Sequence, residues 1–120
     1  MKATVIGCGR WGSFIAWYLR KIGHEVTLYG REGSRHIEQF FRTRTNGLVT
    51  LEDDVRITTN LREALESELI CISIRSQNLA DLMAQIAAQN VSGKTFALCM
   101  KGIEVTTLRR LSEIAEEAVA

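Results

Sequence analysis

The sequence predicts an α/β fold in which a parallel sheet of about five strands lies between two layers of helices. Short β-branched segments and longer helical segments alternate along the chain. Residues 69–74 form a near-continuous apolar run, which is typical of a parallel strand covered on both faces. A glycine-rich turn joins the first strand to the first helix. Right-handed crossovers between such strands place helices on both faces, so we expect a three-layer, doubly wound sheet of the Rossmann type.

Length and composition predict one soluble domain. The chain has 120 residues, of which 46% are hydrophobic and 24% charged, and its net charge is +1. A nearly neutral chain has no overall field that would attract nucleic acid or an anionic membrane. No stretch approaches the roughly 20 apolar residues of a membrane span, and Gly7 to Arg10 interrupt the N-terminal run before a signal peptide could form. We therefore expect a single domain over residues 1–120, cytoplasmic, with no nucleic-acid or membrane partner.

The glycine-rich turn contains Gly7, Gly9 and Gly12 in G-x-G-x-x-G spacing, between a strand at Lys2–Ile6 and a long helix. In this context the three glycines have separate roles. The first permits the tight turn, the second lets the backbone approach a pyrophosphate, and the third lets the helix pack closely. The free N–H groups at the helix start would hold the phosphates. The alternative is a strand-to-helix turn without a ligand, but the flanking elements favour a dinucleotide site.

The first half of the chain contains two βα units and a long loop. The first helix is predicted over residues 10–22, with a glycine stop signal after it. Its helical spacing predicts this buried set: Phe14, Ile15, Tyr18, Leu19 and Ile22. A strand over residues 25–29 and a helix over residues 34–41 follow. The next dozen residues read as a loop.

The second half continues the alternation. A third strand is predicted at residues 55–58, and the capping-box spacing of Asn60 and Glu63 starts a short helix. After the central strand, Ser76 can cap a helix with this buried set: Leu79, Leu82, Met83 and Ile86. A fifth strand at residues 95–100 precedes a final helix from Glu104 with these residues on one face: Val105, Leu108, Leu111, Ala115 and Ala118. That apolar face needs cover, which leaves homodimer formation open.

Four loops should open onto one crevice, because ligands of such sheets bind outside the carboxyl ends of the strands. These loops are residues 7–12, 30–32, 74–78 and 101–102. At the second loop, Arg31 is placed to pair with the 2′-phosphate of NADP through its planar guanidinium. Glu32 would instead bind the bare ribose of NAD if the register differed by one residue. We favour NADP tolerance and keep both NAD and NADP as cofactors.

Two further side chains in these loops have both a binding and a structural interpretation. Trp11 lies at the start of the first helix, where its ring either walls the pyrophosphate side of the crevice or simply packs. Lys101 directly follows the fifth strand, where its ammonium group either contacts a substrate phosphate or carbonyl or is an ordinary surface charge.

The cysteines and histidines indicate no chemistry of their own. Cys8, Cys71 and Cys99 lack the spacing of a metal site and are interpreted as buried, reduced thiols. His24 and His36 receive no catalytic role, and no metal is expected.

Four segments together resemble a known family. They are Val5-Ile6-Gly7-Cys8-Gly9-Arg10-Trp11-Gly12-Ser13, Gly23-His24-Glu25-Val26-Thr27-Leu28-Tyr29-Gly30-Arg31, Ser76-Gln77 and Lys101-Gly102-Ile103-Glu104. In order and spacing they resemble the N-terminal domain of bacterial NAD(P)-dependent glycerol-3-phosphate dehydrogenases, over nearly the whole chain. The tryptophan-glycine pair and the lysine-glycine-isoleucine-glutamate segment are the specific parts of this resemblance.

The resemblance implies an oxidoreductase that reduces dihydroxyacetone phosphate to sn-glycerol 3-phosphate for phospholipid synthesis, with hydride from NADH or NADPH. It implies that Arg10, Trp11 and Arg31 contact the cofactor, and that Lys101 contacts both cofactor and substrate. The partners would be a nicotinamide dinucleotide and, in the full-length protein, a small phosphorylated substrate.

The chain departs from the family pattern at several positions. Arg75 replaces a usual proline, Phe14 a small residue, and Met100 a serine or threonine, while a leucine-proline pair before the third strand is missing. These substitutions lie in or beside the crevice loops, so the resemblance supports the cofactor more strongly than it supports the substrate.

The family places its general acid/base lysine in a helical C-terminal domain that this chain lacks. We therefore expect no catalytic residue here and no turnover by the chain alone, since hydride transfer needs the second domain to position the carbonyl. Two alternatives remain at this point: a free-standing NAD(P)-binding regulatory module, and the cofactor domain of another two-domain reductase.

Overall fold

The computed structural model of the protein describes residues 1–74, 79–89 and 94–98. Its elements follow in this order: β1 (Lys2–Ile6), α1 (Arg10–Lys21), β2 (Glu25–Tyr29), α2 (Arg35–Thr43), β3 (Arg56–Thr58), α3 (Leu61–Ala64), β4 (Leu69–Ile72), α4 (Leu79–Ala87) and β5 (Thr95–Leu98). All strand pairs are parallel, and the order in the sheet is β3-β2-β1-β4-β5. The predicted five-stranded, doubly wound fold is confirmed.

The strand order reverses beside β1, which pairs with β2 on one side and β4 on the other. After β1 the chain adds β2 and β3 on one side of that strand, and it later adds β4 and β5 on the other side. The carboxyl ends of these three strands therefore diverge into a crevice, the place where ligands bind in sheets of this kind.

Each face of the sheet carries its own apolar core. Successive strand side chains point to opposite faces, so Ile6 joins one core and Val5 the other. The core containing Ile6 includes residues of α3 and α4, and the core containing Val5 includes residues of α1 and α2. All four residues predicted to be buried on α4 are buried: Leu79, Leu82, Met83 and Ile86.

The predicted buried face of α1 is wrong for Phe14, Tyr18 and Ile22, which are 41%, 49% and 52% exposed. Ile15 and Leu19 are only partly buried. The helix instead turns its small residues to the sheet: Gly12, Ser13 and Ala16. Close approach of the helix to the sheet leaves room only for such residues, so the large apolar side chains point outward.

Hydrogen bonds connect the two ends of the predicted loop after α2. Arg44 takes the left-handed conformation at the end of α2, with φ of 58°. Its guanidinium group donates hydrogen bonds to the carbonyl groups of Leu51, Glu52 and Val55. Thr45 and Thr50 form an antiparallel bridge, so the loop has a defined local structure.

The predicted cap of α3 forms in one direction only. The Asn60 Oδ1 accepts hydrogen bonds from the N–H groups of Arg62 and Glu63. Glu63 does not return the bond to the Asn60 N–H; its carboxylate accepts from the Thr58 hydroxyl at 2.7 Å. The Asn60 N–H donates to that same hydroxyl oxygen at 3.0 Å, so Thr58 bridges the two.

Several predictions concern residues outside the described ranges: the Ser76 cap, the last residues of the fifth strand, Cys99, Lys101 and the final helix. Of the other cysteines, Cys8 and Cys71 are both buried, as predicted. In the part of the chain that the structure describes, no helix combines the length and apolarity needed to cross a membrane.

Candidate functional site

A cavity of about 460 Å³ lies at the carboxyl ends of β1, β2 and β4. It is bordered by the glycine-rich turn after β1, by the loop after β2, and by residues that follow β4. Two of the four predicted crevice loops, and residue 74 at the start of the third, thus meet at one site. Residues 75–78 of the third loop and the fourth loop, residues 101–102, lie outside the described residues.

The glycine-rich turn crosses so close to neighbouring backbone that two of its positions exclude any side chain. Gly7 has φ of +120°, and a Cβ added there would lie 1.9 Å from the Ser73 carbonyl oxygen. A Cβ at Gly12 would lie 2.0 Å from the Gly7 carbonyl oxygen. Gly9 differs, because a Cβ there would meet nothing within 4 Å. Since Gly9 borders the cavity, its missing side chain leaves space for a ligand rather than for the protein.

The start of α1 faces the cavity without a side-chain cap. Gly9 is the N-cap residue, and no side chain there accepts hydrogen bonds from the first turn. The nearest hydroxyl, on the fully buried Ser13, donates instead to the Gly9 carbonyl at 2.7 Å. The first N–H groups of α1 and the positive end of its dipole are therefore available to an anion.

A second helix start borders the same cavity. Ser34 is the N-cap residue of α2, yet its hydroxyl makes no capping hydrogen bond and lies 3.9 Å from the Cys8 thiol. Gly30 lets this loop close onto the turn, since a Cβ there would come within 2.7 Å of the Cys8 Sγ and the Ile37 Cβ. Two helix N-termini thus point positive ends at one space.

The Cys8 thiol lies beside the start of α2 and stays neutral. Burial raises its pKa above the ordinary value, and the contact with Ser34 offsets only part of that rise. A thiol with a raised pKa carries no negative charge near neutral pH. The neutral thiol therefore places no negative charge beside the two helix starts.

The predicted cofactor residues within the described ranges all line this cavity: Gly7, Gly9, Arg10, Trp11, Gly12 and Arg31. Arg10 and Arg31 add positive charge next to the two helix starts, and both are exposed. Glu32, the alternative ribose ligand, is not among the described lining residues. Lys101 lies outside the described ranges, so its predicted contacts remain a prediction.

Residues 2–120 match the family model described as NAD-dependent glycerol-3-phosphate dehydrogenase N-terminus. The chain belongs to this family. Glycerol-3-phosphate dehydrogenase (NAD(P)+) of Thermoanaerobacter sp. strain X514 is 35% identical over 123 residues, which cover 98% of this chain and 36% of that protein. The protein of the same name from Ehrlichia ruminantium strain Welgevonden is 37% identical over 125 residues, covering 98% of this chain and 38% of the relative. The chain thus spans little more than a third of the length of these relatives.

A solved structure of glycerol-3-phosphate dehydrogenase from Coxiella burnetii superposes with a TM-score of 0.87. It is 20% identical and covers 98% of this chain and 37% of that chain. At this identity the likeness concerns the fold, and it supports the assignment of a Rossmann-type domain.

Relative to the sequence prediction for this glycerol-3-phosphate dehydrogenase domain, the structure adds cavity-lining residues on both sides. Ser34 and His36 come from the start of α2, and Asp81, Leu82 and Gln85 come from α4. The residues of α4 lie one to two turns beyond the predicted loop, so a search limited to strand ends misses them. Their helical spacing, with Asp81 and Leu82 four and three positions before Gln85, was the signal available in the sequence.

Tyr29, which ends β2, also lines the cavity. Its side chain packs in the core that contains Leu82, and the residue is only 9% exposed. Burial raises the pKa of its phenol, while the nearby Arg31 acts in the opposite direction. The group therefore stays protonated and keeps an O–H that can donate.

Proposed function

We propose that this chain binds NAD or NADP in the cavity and is the cofactor domain of a glycerol-3-phosphate dehydrogenase. The observation that carries the proposal is the uncapped start of α1 at the glycine-rich turn, open to the cavity at Gly9. Membership of the family supports the nicotinamide cofactor. The reaction would reduce dihydroxyacetone phosphate to sn-glycerol 3-phosphate, the compound that appears in the relatives' name.

The pyrophosphate fits the start of α1. There the N–H groups of Arg10, Trp11 and Gly12 have no acceptor in the first turn of the helix. The guanidinium group of Arg10 and the helix dipole would add favourable charge. The indole of Trp11, 58% exposed at the rim of the cavity, would then cover one side of the bound dinucleotide.

The adenosine ribose fits the loop after β2. Arg31 lies on the cavity and is exposed, so its planar guanidinium can pair with a 2′-phosphate. The N-terminus of α2 beside it would favour the same charge. We therefore propose that NADPH is accepted, with NADH bound through the remaining contacts.

The reaction itself requires more than the described residues supply. When bound, the reduced nicotinamide supplies a hydride to the substrate carbonyl carbon, and a proton must reach the carbonyl oxygen. We propose that this chain orients the cofactor, that Lys101 contacts the cofactor and the substrate phosphate, and that the general acid comes from residues beyond this chain. The 120-residue chain is then expected to bind cofactor without turnover.

A titration of the chain with NADPH and with NADH, followed by quenching of tryptophan fluorescence, tests the proposal. Both should bind saturably. Arg31→Ala should weaken NADPH binding roughly tenfold and NADH binding little, because one charge-assisted pair to the 2′-phosphate is lost. Arg42→Ala removes an exposed arginine of α2 that does not line the cavity and serves as the matched control.

The possible results separate the parts of the proposal. Failure of both cofactors to bind at millimolar concentration would contradict a dinucleotide site in this chain. Equal losses for NADPH and NADH in Arg31→Ala would contradict the assignment of the 2′-phosphate alone. Reduction of dihydroxyacetone phosphate by the isolated chain would show that the general acid lies within it.

A further inference from the structure

We propose that the α4 side of the cavity recognises the exocyclic amine of the adenine base, through the Asp81 carboxylate and the Gln85 side-chain amide. This inference rests on the proposed function and goes beyond it, since the glycine-rich turn binds phosphates and cannot distinguish one purine from another. It assigns base selectivity to residues of α4.

The charges that line the cavity are divided between its two sides. The basic residues Arg10 and Arg31 belong to the segments that open α1 and α2, and these helices pack on one face of the sheet. Asp81 is the one carboxylate among the described lining residues, and it belongs to α4 on the other face. Phosphates are repelled by a carboxylate and attracted by arginine, so the dinucleotide must place its phosphates away from α4. The uncharged base is the part left for the α4 side.

Asp81 and Gln85 share one face of α4 because they lie four residues apart. Both side chains are exposed and both line the cavity. Leu82, between them on the same face, is buried in the core that also holds Tyr29, and the partly buried Ile74 packs against that core. The arrangement provides an apolar floor on which a purine ring can lie, with two polar groups at its edge.

The phenol of Tyr29 is a second sign that this side takes a polar ligand. Tyr29 lines the cavity, and its hydroxyl makes no hydrogen bond to another described residue. A hydroxyl beside the cavity can donate a hydrogen bond to a polar group of a bound ligand. Its raised pKa keeps the proton in place for donation to a ring nitrogen or a ribose oxygen.

These groups match adenine and disfavour a 6-oxo purine. A carboxylate can only accept hydrogen bonds, so Asp81 pairs with the N6 amine of adenine and repels the O6 of hypoxanthine or guanine. An amide such as Gln85 can accept from N6 and donate to an adjacent ring nitrogen, the pairing that glutamine makes with adenine elsewhere. The base is thereby selected at its amine edge.

The test compares two ligands that differ at this edge alone: NADH and reduced nicotinamide hypoxanthine dinucleotide. Each is titrated into the chain, and the ratio of the two dissociation constants is measured. We expect NADH to bind roughly tenfold more tightly than the hypoxanthine analogue. Asp81→Asn should bring the ratio close to one, mainly by tighter binding of the analogue, because the asparagine amide can donate to O6.

Two further variants complete the experiment. Gln85→Met keeps the length of the side chain and should lower the ratio about threefold, since it removes one of the two partners of the base. Asp53→Asn, at a fully exposed carboxylate outside the cavity lining, should leave the ratio unchanged.

A wild-type ratio near one, or an unchanged ratio in Asp81→Asn, overturns the inference while leaving cofactor binding intact. Absence of binding by both dinucleotides overturns the proposed function and this inference together. A ratio that falls in Asp81→Asn and Gln85→Met, but not in Asp53→Asn, supports the assignment.

Discussion

The indole ring of Trp11 stacks on the ring of Phe14, with centroids 5.6 Å apart and planes 14° from parallel. Phe14 in turn contacts Trp17 at a centroid distance of 5.9 Å, and the Lys21 Nζ lies 4.9 Å from the Trp17 ring centre. The four side chains form a continuous row along α1. The row ends at the cavity, so packing along the helix positions the indole ring that borders it.

Replacing Phe14 with alanine should loosen Trp11 and weaken cofactor binding. The stacked pair is worth about 1 kcal/mol, so we expect the dissociation constant for NADH to rise about fivefold. Measurement in a Trp17→Phe background isolates the fluorescence of Trp11, whose anisotropy should fall. Phe41→Ala removes a similarly exposed phenylalanine from α2 and should change neither quantity. An unchanged dissociation constant in Phe14→Ala would contradict a positioning role for Phe14.

The sequence predicts those parts of the fold that are governed by local chemistry. The apolar run at β4 and the periodic apolar residues of α4 identify buried elements, because a strand or helix covered by protein needs apolar side chains at the covered positions. The spacing of Gly7, Gly9 and Gly12 likewise identifies the turn, because close backbone contacts at Gly7 and Gly12 leave no room for any residue larger than glycine. These predictions needed no knowledge of distant contacts.

The buried face of α1 could not be predicted in the same way. Large apolar residues occur nearly all round this helix, so periodicity favours the wrong face. The correct face is set by how closely the helix approaches the sheet, and that distance depends on Gly12 meeting Gly7 in space. Asp81 and Gln85 were missed for a related reason: residues in the first two turns of α4 reach the cavity only because of how that helix packs on the sheet.

Arg44 should tolerate glycine better than alanine, even though both remove its guanidinium group. Its charged side chain holds three carbonyl groups, and losing it should cost about 2 to 3 kcal/mol of unfolding free energy. Alanine keeps the strain of a left-handed backbone, whereas glycine relieves about 1 kcal/mol of it. Denaturant unfolding of both variants measures the difference. Equal losses in Arg44→Gly and Arg44→Ala would contradict a contribution from backbone strain.

The pair Arg20 and Asp54 should make stability depend on pH in the acid range. The guanidinium group hydrogen-bonds the carboxylate at 2.8 Å and lowers the pKa of Asp54 below its ordinary 3.8. A carboxyl whose pKa is lower in the folded chain stabilises it above the unfolded pKa, and this stabilisation is lost as pH falls through the folded pKa. Both groups are exposed, so the effect should be small and should fade in high salt.

Thermal unfolding of wild type and Asp54→Asn, at neutral pH and at a pH below 3.8, measures this contribution. The wild type should be the more stable at neutral pH, and the two melting temperatures should converge in acid. Glu68→Gln, which neutralises another exposed carboxylate, should not reproduce this convergence. A constant difference between wild type and Asp54→Asn at both pH values would contradict the role of the ion pair.

Alanine at Gly9 and at Gly12 should separate cofactor binding from folding. At Gly12 the added methyl group would lie 2.0 Å from a backbone oxygen that cannot move away, so we expect a loss of about 3 kcal/mol in unfolding free energy. At Gly9, where φ is −75°, the methyl group meets no protein atom, so stability should change by less than about 1 kcal/mol. It would nevertheless occupy the space that the pyrophosphate needs, and NADH should bind at least roughly tenfold more weakly. Denaturation and fluorescence titration of the two variants measure both effects. A Gly9→Ala chain that folds normally and binds NADH as tightly as wild type would contradict the placement of the pyrophosphate at the start of α1.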